Sequence, residues 1–318
     1  MSMNVTTKKT KDALKVAKLY YQQDFSQVEI ATLMHISRPT VSRLLQYARE
    51  SGLVRIDIAD PSVEVPDLAD RIRQKYGLKH VEVVPIATIA PKDRIDTVGE
   101  AAADYIESIV QDDDVIGLGW GRTLYAIGTH LAPKDVRGVT VVQIKGSISN
   151  TESNNFAFES ANAFAAAFHT LPQYLPLPVI FDRRETRELV EQETYISHIF
   201  DMGRRANIAI FTVGSVQDSA LLFRLGYLTR AERDRLQHEA VGDVLSRFID
   251  RDGGIIDEDI DARTIGLHLD DLKNKPHSIL VAASPIKVPA THGALVAGYA
   301  NTLVIDEISA ADLLEFAT

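Results

Sequence analysis

The chain has 318 residues, with 34 Lys and Arg against 44 Asp and Glu, a net charge of −10, and no cysteine. Its length predicts about two domains, and the lack of cysteine excludes a disulfide framework, a cysteine nucleophile and any thiolate metal site. As a single figure, −10 argues against a nucleic-acid partner, because phosphates need a positive surface. The charge is uneven, however: residues 1–55 hold nine basic and four acidic side chains, and the remainder sums to −15. A basic module joined to an acidic body is the expected organisation, with domains at 1–60 and 61–318.

In the basic module, Ala13, Val16, Ala17, Leu19 and Tyr20 repeat at helical spacing. Ser26 and Glu29 form an S-x-x-E capping box for a second helix with Ile30, Ala31 and Leu33 as its apolar face. A tight break at His35-Ile36 precedes a third helix. Ser37 caps it and Pro39 sits in its first turn, where a missing N–H costs nothing. Val41, Leu44, Leu45 and Ala48 face the core, and Gly52 ends the helix. Residues 54–58 alternate like a strand, the expected wing. Tyr20, Tyr21, Phe25 and Tyr47 are read as core side chains rather than base-stacking ones. The outward face of the third helix carries Arg38, Ser42, Arg43 and Gln46, with Pro39 and Thr40 in its first turn. Short hydroxyls and forked guanidinium donors near a helix N-terminus suit phosphates and major-groove base edges. This module reads as a winged helix-turn-helix.

Beyond Asp60-Pro61 the pattern changes. Val65, Leu68, Ile72 and Tyr76 give an amphipathic helix suited to linking the modules or pairing with another chain. Strands are expected at 81–85, 115–118, 140–144, 179–181, 207–213, 279–283 and, weaker, 302–305. Helices are expected at 93–110, 123–131 and 156–168. The fold class is therefore α/β, with a mostly parallel sheet and ligands expected at the carboxyl ends of its strands. Residues 160–181 and 288–305 lack charge but contain prolines, glycines or polar residues, and are read as buried core rather than membrane spans. The first residues, MSMNVTTKKTKD, lack a signal-peptide apolar stretch, so a cytoplasmic location is expected.

Three strand ends carry chemistry. Residues 117–123 read Gly-Leu-Gly-Trp-Gly-Arg-Thr before a helix. Glycine turns and a helix N-terminus suit an anion, so Gly119, Gly121, Arg122 and Thr123 are phosphate candidates, although tight strand-to-helix packing also uses such glycines. Lys145-Gly146-Ser147 ends the next strand. Lys145 there suits a phosphate contact or, if desolvated, amine attack on an aldehyde. Lys287 follows the strand at 279–283. Asp243 suits either sugar hydroxyls or a helix cap. No histidine spacing points to a metal, and no cofactor is expected.

The stretches YYQQDFSQVEIATLMHISRPTVSRLLQYARESGLVRIDIADP, GLGWGRTL, VVQIKGSIS and LLFRLGYLT resemble the SorC family of sugar-binding transcriptional regulators, nearest its deoxyribonucleoside-regulator subgroup. The resemblance implies a Rossmann-like effector domain related to sugar-phosphate isomerases and deaminases. It also implies a homodimer or homotetramer and operator binding controlled by a phosphorylated sugar. It places Gly119, Gly121, Arg122 and Thr123 on phosphate and Lys145 and Gly146 at the sugar end, with Asn155, Arg224 and Asp243 as polar contacts. In the subgroup, a lysine at the position of Lys145 is expected to form a Schiff base with deoxyribose 5-phosphate. Lys287 matches the late lysine of a G-G-x-x-K segment that here reads Ala283-Ser284-Pro285-Ile286-Lys287, without the two glycines. The function expected is a non-enzymatic DNA-binding regulator, a repressor of deoxyribonucleoside or pentose catabolism. The alternative is an isomerase- or aldolase-like enzyme with an appended DNA module.

Overall fold

The computed structural model describes residues 8–22, 25–54, 65–86 and 91–316. The chain forms two compact units that divide between residues 59 and 60.

The first unit packs helices Lys8–Gln22, Gln27–Leu33 and Arg38–Glu50 around Ala13, Val16, Ile30, Val41 and Ala48. Both expected caps form. The Glu29 amide donates to Ser26 Oγ at 3.3 Å, and the Ser26 amide donates to Glu29 Oε2 at 2.8 Å. The Ser37 side chain accepts from the Thr40 amide at the start of the third helix. Ser37→Ala is expected to cost roughly 1 kcal/mol of this unit's stability, the usual worth of an N-cap side chain, measurable by denaturant titration of far-UV circular dichroism. Two side chains depart from expectation. Leu33 is 55% exposed and Tyr21 is 39% exposed. His35 adopts a left-handed backbone (φ 53°), which redirects the chain so that Met34 and Ile36, rather than Leu33, lean on the core. Residues 55–58 of the expected wing lie outside the described residues.

The second unit is built on a seven-stranded parallel sheet. Its strands, with those of a smaller sheet, are β1 His80–Val84, β2 Val115–Leu118, β3 Thr140–Gln143, β4 Pro172–Gln173, β5 Ile208–Phe211, β6 Val213–Gly214, β7 Gly242–Val244, β8 Arg247–Ile249, β9 His277–Ala282 and β10 Thr302–Asp306. The large sheet runs β1-β10-β9-β5-β2-β3-β4, and β6-β7-β8 form an antiparallel three-stranded sheet. Alternate residues of each central strand enter opposite cores. Ile208, Ile210, Ile279 and Val281 join the helices Pro91–Ile109, Arg122–His130 and Ala157–Ala167 on one face. Ala209, Phe211, Leu280 and Ala282 face the other core. Burial on both faces explains the uninterrupted apolar runs of these strands. β10 is no weak strand: all five of its residues are buried between β1 and β9.

Two further expectations are corrected. Residues 179–181 form no strand; Ile180 makes only an isolated bridge to Thr264, and β4 is the edge instead. Pro176 and Pro178 supply no amide donors, so a regular ladder cannot extend there. In the helix Val65–Tyr76, Leu68 and Ile72 are buried in the body's own core, so these two residues are not left to pair with another chain. That helix packs against β1 and the last helix, Glu307–Phe316, and Tyr76 Oη lies 2.8 Å from His292 Nδ1.

Candidate functional site

From β2 the chain proceeds to β3 and β4 on one side, while β5, β9 and β10 extend the sheet on the other. This divergence between β2 and β5 is a topological switch point, where loops separate and leave a crevice at the carboxyl ends of the strands. A cavity of about 250 Å³ opens there.

The turn after β2 forms one wall. The Gly119 amide donates to Ile210 O at 2.9 Å, tying the turn to β5. Gly121 has φ 134°, a conformation that favours glycine, and it starts the helix Arg122–His130 without any side-chain cap. The uncapped first-turn amides and the helix dipole favour an anion at this end. Thr123 is buried there, whereas Arg122 is exposed.

Lys145 follows β3 and is 6% exposed. Its Nζ donates to Ser246 Oγ at 3.2 Å and lies 3.7 Å from the ring centroid of Trp120. Burial pulls its amine down to about 8, against the opposing charge of Asp243. Lys287 Nζ donates to Thr212 Oγ1 at 2.8 Å, and burial likewise lowers its amine to about 8. Asp243 is pushed up by burial, although Lys145, the Ser246 amide and Lys287 all favour its charged form. Desolvation thus outweighs mutual attraction at all three groups, the pattern of a water-poor site.

Asp243 lies in β7, not at a helix end, so the capping alternative is excluded. Its Oδ2 accepts the Ser246 amide at 2.9 Å. Gly214 faces it across the antiparallel pair, and a Cβ there would stand 1.9 Å from Asp243 Oδ1. Leu245 and Ser246 join β7 to β8 with φ of 49° and 70°. Two positive values match a type I′ hairpin turn, which usually takes Asn or Gly. The strained, buried turn presents Ser246 to Lys145.

Seven effector candidates line the cavity: Gly121, Arg122, Thr123, Lys145, Arg224, Asp243 and Lys287. Three are placed elsewhere. Gly119 packs its backbone on β5. The Gly146 amide donates to Ile265 O and its carbonyl accepts from Trp120 Nε1, while a Cβ would meet Ile265 and Pro178 at 2.5 Å. Asn155 holds the strand end to the following helix: its Nδ2 donates to Ser147 O, and its Oδ1 accepts the Ala157 amide. Without the two glycines, the segment before Lys287 forms a short 3-10 turn, Pro285–Lys287, that still brings the lysine to the wall.

Trp120, Thr212 and Ser246 also line the cavity and are absent from the sequence-level assignment. Trp120 sits inside the quoted GLGWG turn, so its position was visible although its role was not. Thr212 was visible only as part of a strand end. Nothing in Leu245-Ser246 marks a turn. In the other unit, Arg38, Pro39, Ser42, Arg43 and Gln46 are exposed on one helix, and Thr40 is half-buried with its Oγ1 2.8 Å from Ser37 Oγ.

Comparison with known proteins matches residues 60–315 to the family described as "Putative sugar-binding domain". The chain is 46% identical over 302 residues to the deoxyribonucleoside regulator of Bacillus subtilis, covering 95% of this chain and 96% of that one. The full-length sorbitol operon regulator SorC of Klebsiella pneumoniae superposes with a TM-score of 0.72 at 28% identity, over 96% of this chain and 98% of that structure. A domain of a possible sugar-binding transcriptional regulator from Arthrobacter aurescens TC1 gives 0.74 at 32% identity, over 80% and 100%. Among the described residues, no helix is long and apolar enough to cross a membrane.

Proposed function

The chain belongs to the SorC family of sugar-binding transcriptional regulators, and from that membership we propose that it is a cytoplasmic repressor of deoxyribonucleoside or related pentose catabolism whose operator grip is set by a sugar phosphate. The observation that carries this reading is a buried amine, Lys145, facing a cavity at the strand ends of a body joined to a helix-turn-helix unit.

The effector of the proposal is deoxyribose 5-phosphate in its open-chain form. Its phosphate takes the uncapped helix start at Gly121, Arg122 and Thr123, with Arg224 near the mouth. Its aldehyde carbon meets the Lys145 amine. The neutral nitrogen attacks that carbon, the carbonyl oxygen takes up the two protons that the nitrogen gives up and leaves as water, and a C=N bond remains. Asp243 and Ser246 meet the sugar hydroxyls, and Lys287 supports them from the wall. Arg38, Pro39, Thr40, Ser42, Arg43 and Gln46 engage the operator. Two copies of the unit in a homodimer or homotetramer read two half-sites. The effector acts by binding one arrangement of the oligomer better than another, because equal affinity for both would shift nothing.

The regulator reading is favoured over an enzyme by the relatives, which are named transcriptional regulators. Asp243 is the lone carboxylate among the lining residues, and no histidine joins it. The test incubates the protein with deoxyribose 5-phosphate in two portions: borohydride is added to one before its intact mass is read, and the sugar in the other is followed by chromatography without reductant. One stable adduct per chain, with no turnover and with release of a promoter fragment bound in preference to random DNA, is the expected result. Turnover of the sugar, or no preference for the promoter, would sink the proposal.

A further inference from the structure

Trp120 is the single tryptophan of the chain and is 4% exposed. Its indole Nε1–H donates to Gly146 O at 2.7 Å. Gly146 adjoins Lys145, so this bond fixes the ring plane relative to the strand end that carries the amine. The ring face then lies 3.7 Å from Lys145 Nζ, well inside the range of a cation–π contact. Packing with Leu222, Phe223 and Phe248 accounts for the burial of the indole. It does not account for one face lining the cavity beneath a buried amine.

The amine needs such a surface. Its hydrogen bond to Ser246 involves a neutral hydroxyl. The charged groups that act on it are Asp243, which favours the ammonium, and Lys287, which opposes it. Arg122 and Arg224 also line the cavity, and the remaining neighbours, Ser246 and Gly266, are uncharged. A charged nitrogen with so few donors and acceptors around it is costly unless an aromatic face or a counter-charge answers it.

We propose that Trp120 is the positioning residue of the effector lysine: its indole face holds the Lys145 nitrogen at the cavity wall and carries its positive charge both as the ammonium and as the iminium formed with an aldehyde. The iminium half of this proposal rests on the Schiff-base reading given above. Imine formation expels one water and, once the nitrogen is protonated, leaves the positive charge where the ammonium had it. The same ring face therefore serves both states. The neutral amine and the neutral imine gain nothing comparable from it, so removal of the ring weakens the charged species selectively.

The test uses the full chain as wild type, Trp120→Leu and Trp120→Phe. Reductive methylation with ¹³C-formaldehyde and cyanoborohydride labels lysines without any sugar, and the Lys145 signal is the one missing from Lys145→Met. In the wild type that signal is expected upfield, from the ring current, and titrating near pH 8. In Trp120→Leu the ring-current shift vanishes and the midpoint falls by about half a unit or more. Trp120→Phe keeps a weaker ring face, lies between the two, and serves if the leucine variant does not fold. In parallel, at pH 6, where the free amine and the imine are both protonated, the equilibrium yield of adduct with deoxyribose 5-phosphate is expected to stay within about twofold of wild type in Trp120→Leu, because the lost ring had held both charged states. An unshifted Lys145 signal in the wild type, or an unmoved midpoint in the variants, overturns the proposal. A wild type with the expected shift and midpoint but no sugar adduct overturns the Schiff-base reading and the iminium role, while the anchoring of the amine stands. A yield at pH 6 that rises about three- to thirtyfold in Trp120→Leu would show that the ring holds the ammonium and not the iminium, and overturns the iminium role alone.

Discussion

Lys145→Met is expected to abolish the trappable adduct with deoxyribose 5-phosphate and to leave promoter binding unresponsive to that sugar. The variant keeps its fold, because methionine is apolar and of similar length, and burial penalises the charge that it removes. Ser246 keeps its backbone bond to Asp243. The wild type supplies the sharper measurement. Its rate of adduct formation is expected to follow the neutral amine, and burial holds that amine at about 8. Below this value the rate rises about tenfold per pH unit, and above it the rate levels off. At pH 7 roughly one molecule in ten carries the neutral amine, against about one in a few thousand for an ordinary lysine near 10.4. The rate at neutral pH therefore exceeds that of a solvent-exposed lysine by about two orders of magnitude from this cause alone. A rate that keeps climbing to pH 10, or an adduct mapped by peptide mass to another lysine, would show that Lys145 is not the nucleophile.

Arg43→Ala is expected to weaken binding to the promoter by about 1–3 kcal/mol, or roughly five- to 150-fold, with a smaller loss on random DNA. Arg43 is exposed on the helix Arg38–Glu50, one residue after exposed Ser42, while Val41, Leu44, Leu45 and Ala48 of the same helix are buried. The substitution removes a forked donor from the outer face and leaves the packed face untouched, so melting of the unit should stay close to wild type. Fluorescence anisotropy at two salt concentrations separates the two roles open to this arginine. A base contact lowers promoter affinity and relaxes sequence preference. A phosphate contact lowers affinity for both DNAs equally and reduces the steepness of the salt dependence. Equal losses on promoter and random DNA would remove Arg43 from base recognition. No loss on either would remove it from the interface.

The residue pattern anticipated what depends on near neighbours. The capping box at Ser26 and Glu29, the Ser37 cap and the Gly121 helix start all form between residues a few positions apart. The apolar runs of β5 and β9 announced their double burial. Local pattern misled where an alternative partner won. The apolar stripe at Leu68 and Ile72 had no visible partner, because β1 begins a few residues on but the last helix lies more than 200 residues away. Residues 179–181 have strand-like side chains, yet the prolines before them deny a ladder its donors. Gly146 and Asn155 stand beside the right strand end, but their hydrogen-bonding groups are taken by neighbours within the scaffold.

From the residues alone follow the two-unit organisation, the α/β class and the choice of Lys145, Asp243 and Lys287 as groups worth watching. Hydrophobic period, end signals and residue chemistry are properties of short segments and survive without a fold. The meeting of those groups does not. Lys145 and Ser246 are 101 residues apart and touch because the β7–β8 turn folds over the end of β3. Trp120 and Lys145 meet because β2 and β3 are parallel neighbours with their ends together. The lowered amine of Lys145 belongs to neither segment: burial is imposed from all sides at once, and it arises when the sheet and its helices close around the nitrogen.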